Sequence, residues 1–174
     1  MEFFTIPTAT FRILYVFIVL SHDRRHIVYF NVAAHPTARW TAQQLVEAFP
    51  FDSAPRYLLR DRDAIYGDLV RRRIKSLGSE EVITAPRSPW LNPFCERVIG
   101  SIRRDCLDHI IVLNERHLRR ILSEYISYYH NCRTHISLNK DPPEIRPIEP
   151  SEMGTIVAFP RVGGLHHRYG RIAA

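Results

Sequence analysis

The chain reads as an α/β domain: an antiparallel meander of three strands, then alternating strand and helix. Three observations predict this. Residues 3–34 are dominated by Phe, Ile, Val, Tyr and Thr, whose branched or flat side chains suit a pleated surface. Helical spacing of apolar residues begins at about residue 37. Residues 56–84 then run strand, helix, strand, an order that implies parallel pairing.

Pro7 and the Ser21-His22-Asp23 stretch punctuate the first region, giving strands near 2–6, 11–20 and 26–33. Residues 37–49 carry Trp40, Leu45, Val46 and Phe49 at helical spacings, which predicts the first helix. A short strand over 56–60 ends on Asp61. A basic helix over 68–77 is closed by Gly78, and 81–84 is the last strand of the core. Pro86, Pro89 and Pro93 mark an irregular loop, after which Asn92 is placed to cap a helix running to about residue 109, with Pro93 in its first turn. A further helix over 115–129 puts Leu118, Ile121, Leu122, Tyr125, Ile126 and Tyr129 on one stripe. Four prolines in 141–150 predict a linker or extended arm. Residues 156–159 suggest one more strand. The division is therefore a core over 1–140 and a Pro-rich linker with a C-terminal tail over 141–174.

At 174 residues and 45% apolar composition the chain can bury one core of ordinary size. A formal charge of +6 biases its surface toward polyanions, nucleic acid first, although charge alone speaks to solubility as much as to binding. Cys95, Cys106 and Cys132 are odd in number and lack CxxC pairing, so neither a disulfide framework nor a zinc ribbon is predicted, and a reducing, cytoplasmic setting fits. The most apolar run, 11–20, contains Arg12 and is about half the length of a membrane span. No secretory signal is visible.

The chemistry-bearing residues are carboxylates. Asp61 stands where the fourth strand ends, and ligand sites in open α/β sheets lie at the carboxyl ends of strands. Glu96 stands in the first turns of the long helix, at the margin of an arc made by Phe94, Val98, Ile99, Ile102 and Cys106. Alone, Glu96 reads more simply as a residue favoured by the helix dipole. Carboxylates are the natural ligands of Mg²⁺, and two such ions about 3.5–4 Å apart activate the attacking oxygen and stabilise the leaving one in phosphodiester transfer.

Three stretches carry a resemblance: Leu59-Arg60-Asp61-Arg62-Asp63, then Asn92-Pro93-Phe94-Cys95-Glu96-Arg97, then Tyr128-Tyr129-His130-Asn131-Cys132-Arg133-Thr134-His135. Over roughly residues 2–150 the chain resembles the integrase catalytic core of bacterial insertion-sequence transposases. In that family about 35 residues separate the second and third members of an Asp, Asp, Glu set, and here 34 lie between Asp61 and Glu96. The resemblance implies a ribonuclease-H-like fold, a five-stranded mixed sheet with helices on both faces. It implies DNA integration or transposition by cleavage and strand transfer with two Mg²⁺ or Mn²⁺ ions, DNA as partner, self-association, and a bacterial cytoplasm. Tyr128 and Tyr129 become packing or DNA-facing residues rather than nucleophiles.

The family's first aspartate, before an aromatic stretch that here reads Phe3-Phe4-Thr5, is replaced by Glu2. One extra methylene can displace a catalytic group by about 1 Å, worth on the order of 100-fold in rate. The expected catalytic and metal-binding set is thus Glu2, Asp61 and Glu96. The family's helix-turn-helix region before this strand is also expected to be missing, as in a truncated transposase. Two rival readings follow: an inactive integrase-fold remnant that binds nucleic acid or dimerises, and a ribonuclease-H-like nuclease.

Among the cations, Arg97, Arg103 and Arg104 share a helix with Glu96 and are expected to hold phosphates rather than read bases. Arg71, Arg72, Arg73 and Lys75 read more simply as a solvated face. Asp63 is a turn residue by preference, and Asp23, followed by Arg24 and Arg25, a solvated turn that only nominally rivals the first metal position. His130, Cys132 and His135 lack a fourth ligand for zinc. His166-His167 and Gly163-Gly164 have no partner pattern, and neither a GxSxG elbow nor a Walker loop is present.

Overall fold

The computed structural model describes residues 1–86 and 89–173. Strands β1 (Glu2–Pro7), β2 (Ile13–Leu20) and β3 (Ile27–Ala33) form an antiparallel sheet in that order, with Glu2 opposite Ile18 and Tyr15 opposite Ala33. The second strand starts two residues later than the composition suggests. Thr8 closes a tight turn there: its N–H donates to Arg12 O at 2.8 Å and its hydroxyl accepts from Arg12 N. Phe11 takes a left-handed backbone at φ 59° and is exposed.

Period-two alternation along β2 splits the interior into two layers. Leu14, Val16, Ile18 and Leu20 face one side with Phe4 and Ile6, while Phe17 and Val19 face the other. The second side is covered by α1 (Ala38–Ala48) and α2 (Asp68–Ser76) through Leu45, Val70 and Ile74. Thr37 caps α1 by accepting from Trp40 N at 3.2 Å. The first side is covered by α3 (Pro93–Asp105) and α4 (Glu115–Asn131). The stripe expected on α4 is buried as read, from Leu118 to Tyr129, and Arg119 ties that helix to β3 through Asn31 Oδ1 and Val32 O.

Strands β4 (Tyr57–Arg60) and β5 (Glu80–Ile83) pair in parallel around α2, as the strand, helix, strand order implies. The five-stranded sheet is not continuous: three antiparallel strands and two parallel strands form separate ladders. They meet where the Met1 amino group donates to Leu59 O at 2.8 Å.

Two further expectations are corrected. Helix α3 ends at Asp105 rather than near 109, since Cys106 (φ −141°) leaves helical geometry and only a 3₁₀ turn follows over Leu107–His109. The tail holds not one strand but a hairpin, β6 (Thr155–Arg161) and β7 (His166–Ile172), a two-stranded antiparallel sheet of its own. It docks on α4 through buried Val162 and the His166 ring, stacked on Tyr128 at 4.3 Å. The proline-rich arm between is strapped down: Arg24 donates to Pro143 O at 2.8 Å and Pro142 O at 3.0 Å. Among the described residues no helix is long and apolar enough to cross a membrane.

Candidate carboxylate site

Glu2, Asp61 and Glu96 come from three elements that the fold brings to one end of the sheets. Alternation along β1 sets Glu2 on the face of Phe4 and Ile6, which is the face α3 covers. Asp61 follows the last residue of β4, its backbone held by Arg60 Nη1 donating to Asp61 O at 2.6 Å. Glu96 lies in the first turn of α3.

Glu2 is half-buried, and its carboxyl is hydrogen-bonded to that of Glu96 with the Asp61 charge close by. Burial and then the Glu96 charge push its pKa up to about 8, against a small opposing pull from the amino terminus. At neutral pH the Glu2–Glu96 pair therefore holds a proton between two carboxylates. Asn92 completes the arrangement, donating from Nδ2 to Glu2 Oε2 at 2.8 Å.

Asn92 is the residue that sequence reasoning assigned to the wrong task. It occupies the cap position of α3 but makes no capping hydrogen bond, because its side chain turns to Glu2. Its Oδ1 is buried without a partner. Two more residues were not singled out. Arg60 is only 2% exposed, donates from Nε to Glu81 Oε1 at 2.7 Å, and lies over the Tyr66 ring at 5.0 Å. The Tyr66 hydroxyl is buried and unpartnered, and burial, then Asp61 and Glu2, hold its pKa well above that of a free tyrosine. The signal that could have flagged the pair is a charged residue inside a short predicted strand.

The remaining candidates disperse. Asp63 serves the turn, its Oδ1 accepting from Ile65 N at 3.0 Å, and Asp23 is exposed in the β2–β3 turn. Arg103 donates to Thr5 O at 3.0 Å and covers the Phe4 ring, so it tethers α3 to β1, while Arg97 and Arg104 lie on the other flank of the helix. Arg71 pairs with Asp68 and approaches Glu81 at 3.9 Å. His130 Nε2 accepts from Ile27 N at 3.0 Å, which commits it to the backbone rather than to zinc.

Three carboxylates are the right donor chemistry for a hard divalent cation. In their present arrangement they close on one another: among the described residues no group of three or more His, Cys, Asp or Glu side chains is placed to hold a metal ion.

The fold has known counterparts. Residues 77–143 match the integrase core domain family. The chain superposes on a chain of the simian T-cell lymphotropic virus intasome in complex with PP2A regulatory subunit B56 gamma, with TM-score 0.65 at 14% identity, over 97% of its length. The chain has an integrase-core-like fold. The core spans 64% of that intasome chain. It also superposes on the catalytic core domain of BIV integrase, with TM-score 0.51 at 16% identity, over 82% of this chain and 88% of that one. No curated protein matches the chain in sequence. The family match includes Glu96 and Asn92 but begins after Glu2 and Asp61.

Proposed function

We propose that this integrase-like core cleaves and joins DNA strands, with Glu2, Asp61 and Glu96 as the carboxylates that hold two Mg²⁺ or Mn²⁺ ions. The observation that carries the reading is the convergence of Glu2 on Glu96, 94 positions away in the chain, with the Asp61 charge beside them. Nothing in ordinary packing favours three carboxylates at one sheet end, since like charges there raise each other's pKa. Bound divalent ions would activate the attacking oxygen and stabilise the leaving oxygen. The chain's own part is to keep the carboxylates aligned: Arg60 holds the Asp61 backbone, Asn92 holds Glu2, and Arg103 anchors α3 to β1.

A second reading is an inactive core that retains nucleic acid binding. It is favoured by the Glu2–Glu96 hydrogen bond, in which the longer side chain at position 2 engages its partner carboxyl instead of leaving room for an ion. Nicking and strand-transfer assays with Mg²⁺ or Mn²⁺ on the parent, Glu96→Gln and Glu2→Asp decide between them. Shortening position 2 by one methylene should release Glu96 and raise the rate by on the order of 100-fold, and Glu96→Gln should abolish it. If Glu96→Gln cleaves as well as an active parent, the carboxylate assignment is wrong. If Glu2→Asp is as inert as the parent, the inactive reading stands.

A further inference from the structure

Helix α3 carries a second flank, a quarter-turn from Glu96, where Arg97, Ser101 and Arg104 follow one another at helical spacing. These three border a cleft of about 500 Å³ whose other walls are the β2–β3 turn at Arg25 and the segment after α4, from Arg133 to Ser137. Among the described residues four arginines line the cleft and no carboxylate does. Arg133 is already neutralised by Asp105 at 3.0 Å. Among the described residues Arg25, Arg97 and Arg104 form no ion pair, although Arg25 rests over the Phe94 ring at 5.6 Å.

His135 supplies an independent sign of a missing acceptor. It lines the same cleft, is only 5% exposed, and its Nε2 is buried without a partner. Its Nδ1 lies 3.3 Å from Arg133 Nη1, and a guanidinium can only donate, so Nδ1 accepts and Nε2 carries the proton. Burial, then Arg133 and Arg25, keep the ring neutral, with a pKa pushed down to about 4. His135 thus places a buried, unpartnered Nε2–H in the wall of the cleft, beside three guanidinium groups that form no ion pair among the described residues. Buried donors of this kind are normally satisfied. The ligand must be all acceptor, anionic, and able to take several donors at once, which describes a phosphate group.

We propose that this cleft is a phosphate-binding site, separate from the carboxylates, in which Arg25, Arg97, Arg104 and the Nε2–H of His135 surround one phosphoryl group. The group can come from a DNA backbone or from free phosphate, and two arms separate these sources. Both are run on the full chain in EDTA with Arg25→Gln, Arg104→Gln, the double variant, and Arg72→Gln on the exposed face of α2 as control.

In the first arm, melting temperature is followed as inorganic phosphate replaces chloride at matched ionic strength. In the second, affinity for duplex DNA is measured across a salt series. A DNA source predicts that each cleft arginine lost weakens DNA binding about tenfold and lowers the salt slope by about 1, with no phosphate-induced rise in melting temperature. A free-phosphate source predicts such a rise in the parent and its loss in the double variant. Unchanged behaviour of the double variant in both arms overturns the proposal, as does an equal loss of DNA affinity in Arg72→Gln. Melting temperatures in chloride show whether each variant is folded. Because no arm requires strand cleavage, an inert parent in the nicking assay leaves this site standing, and failure here leaves the carboxylate reading untouched.

Discussion

Glu2 determines how the site behaves with pH. Its carboxyl has a pKa of about 8 in the folded chain against 4.5 in a free one. Between those values the folded form holds a proton that the unfolded form has released, so stability from this group falls as pH rises through the window. Below pH 4.5 its contribution is fully present, and above pH 8 it is gone. His135 and His130, both lowered to about 4 chiefly by burial, act in the opposite sense: their contribution is present above 6.5 and is lost as pH falls toward 4. The clean measurement is therefore a difference. Urea midpoints of the parent and Glu2→Gln, compared at pH 5 and pH 8 in EDTA, should diverge, the parent losing relative stability at the higher pH. Parallel midpoints would mean that Glu2 is not protonated in the fold.

At the level of elements, α4 shows how far a sequence pattern can be trusted. Its stripe was legible because an amphipathic helix advertises its buried face at a period of 3.6. Leu118 is fully buried in the layer shared with β2 and α3. Leu118→Ala should cost roughly 2–5 kcal/mol, read as a lower urea midpoint with an unchanged slope. A loss under 1 kcal/mol would place Leu118 at the edge of the layer instead. Helix α3 was less legible. Its start was right, but the role of Asn92 was not, since a capping side chain and one that reaches across to another strand look identical in one dimension.

At the level of the whole molecule, the hairpin β6–β7 is bound into the fold rather than trailing from it. Val162 is buried among the α4 residues, and His166 Nε2 lies 2.6 Å from Asp105 O while its ring stacks on Tyr128. Removing residues 151–174 should therefore lower the melting temperature while preserving the helical circular dichroism of α1 to α4. An unchanged melting temperature would show that the hairpin rests on the core without stabilising it. Composition hinted at only one strand here because the tail mixes Gly, His and Arg with few apolar residues. Its order comes from pairing with itself and from contact with a helix about 40 residues earlier in the chain.

The sequence by itself determined the element order, the alternation along β1 and β2, the buried stripe of α4 and the spacing of Asp61 and Glu96. These are local periodicities, set by how a strand or a helix presents its side chains. What only the tertiary structure decided was the company each side chain keeps. Burial, and then the Glu96 that α3 brings against it, raise the pKa of Glu2, Arg103 is a tether while Arg97 and Arg104 line a cleft, and His135 keeps an unmet donor beside Arg25. Burial and neighbouring charge set protonation and pairing, and both arise from contacts between residues tens of positions apart.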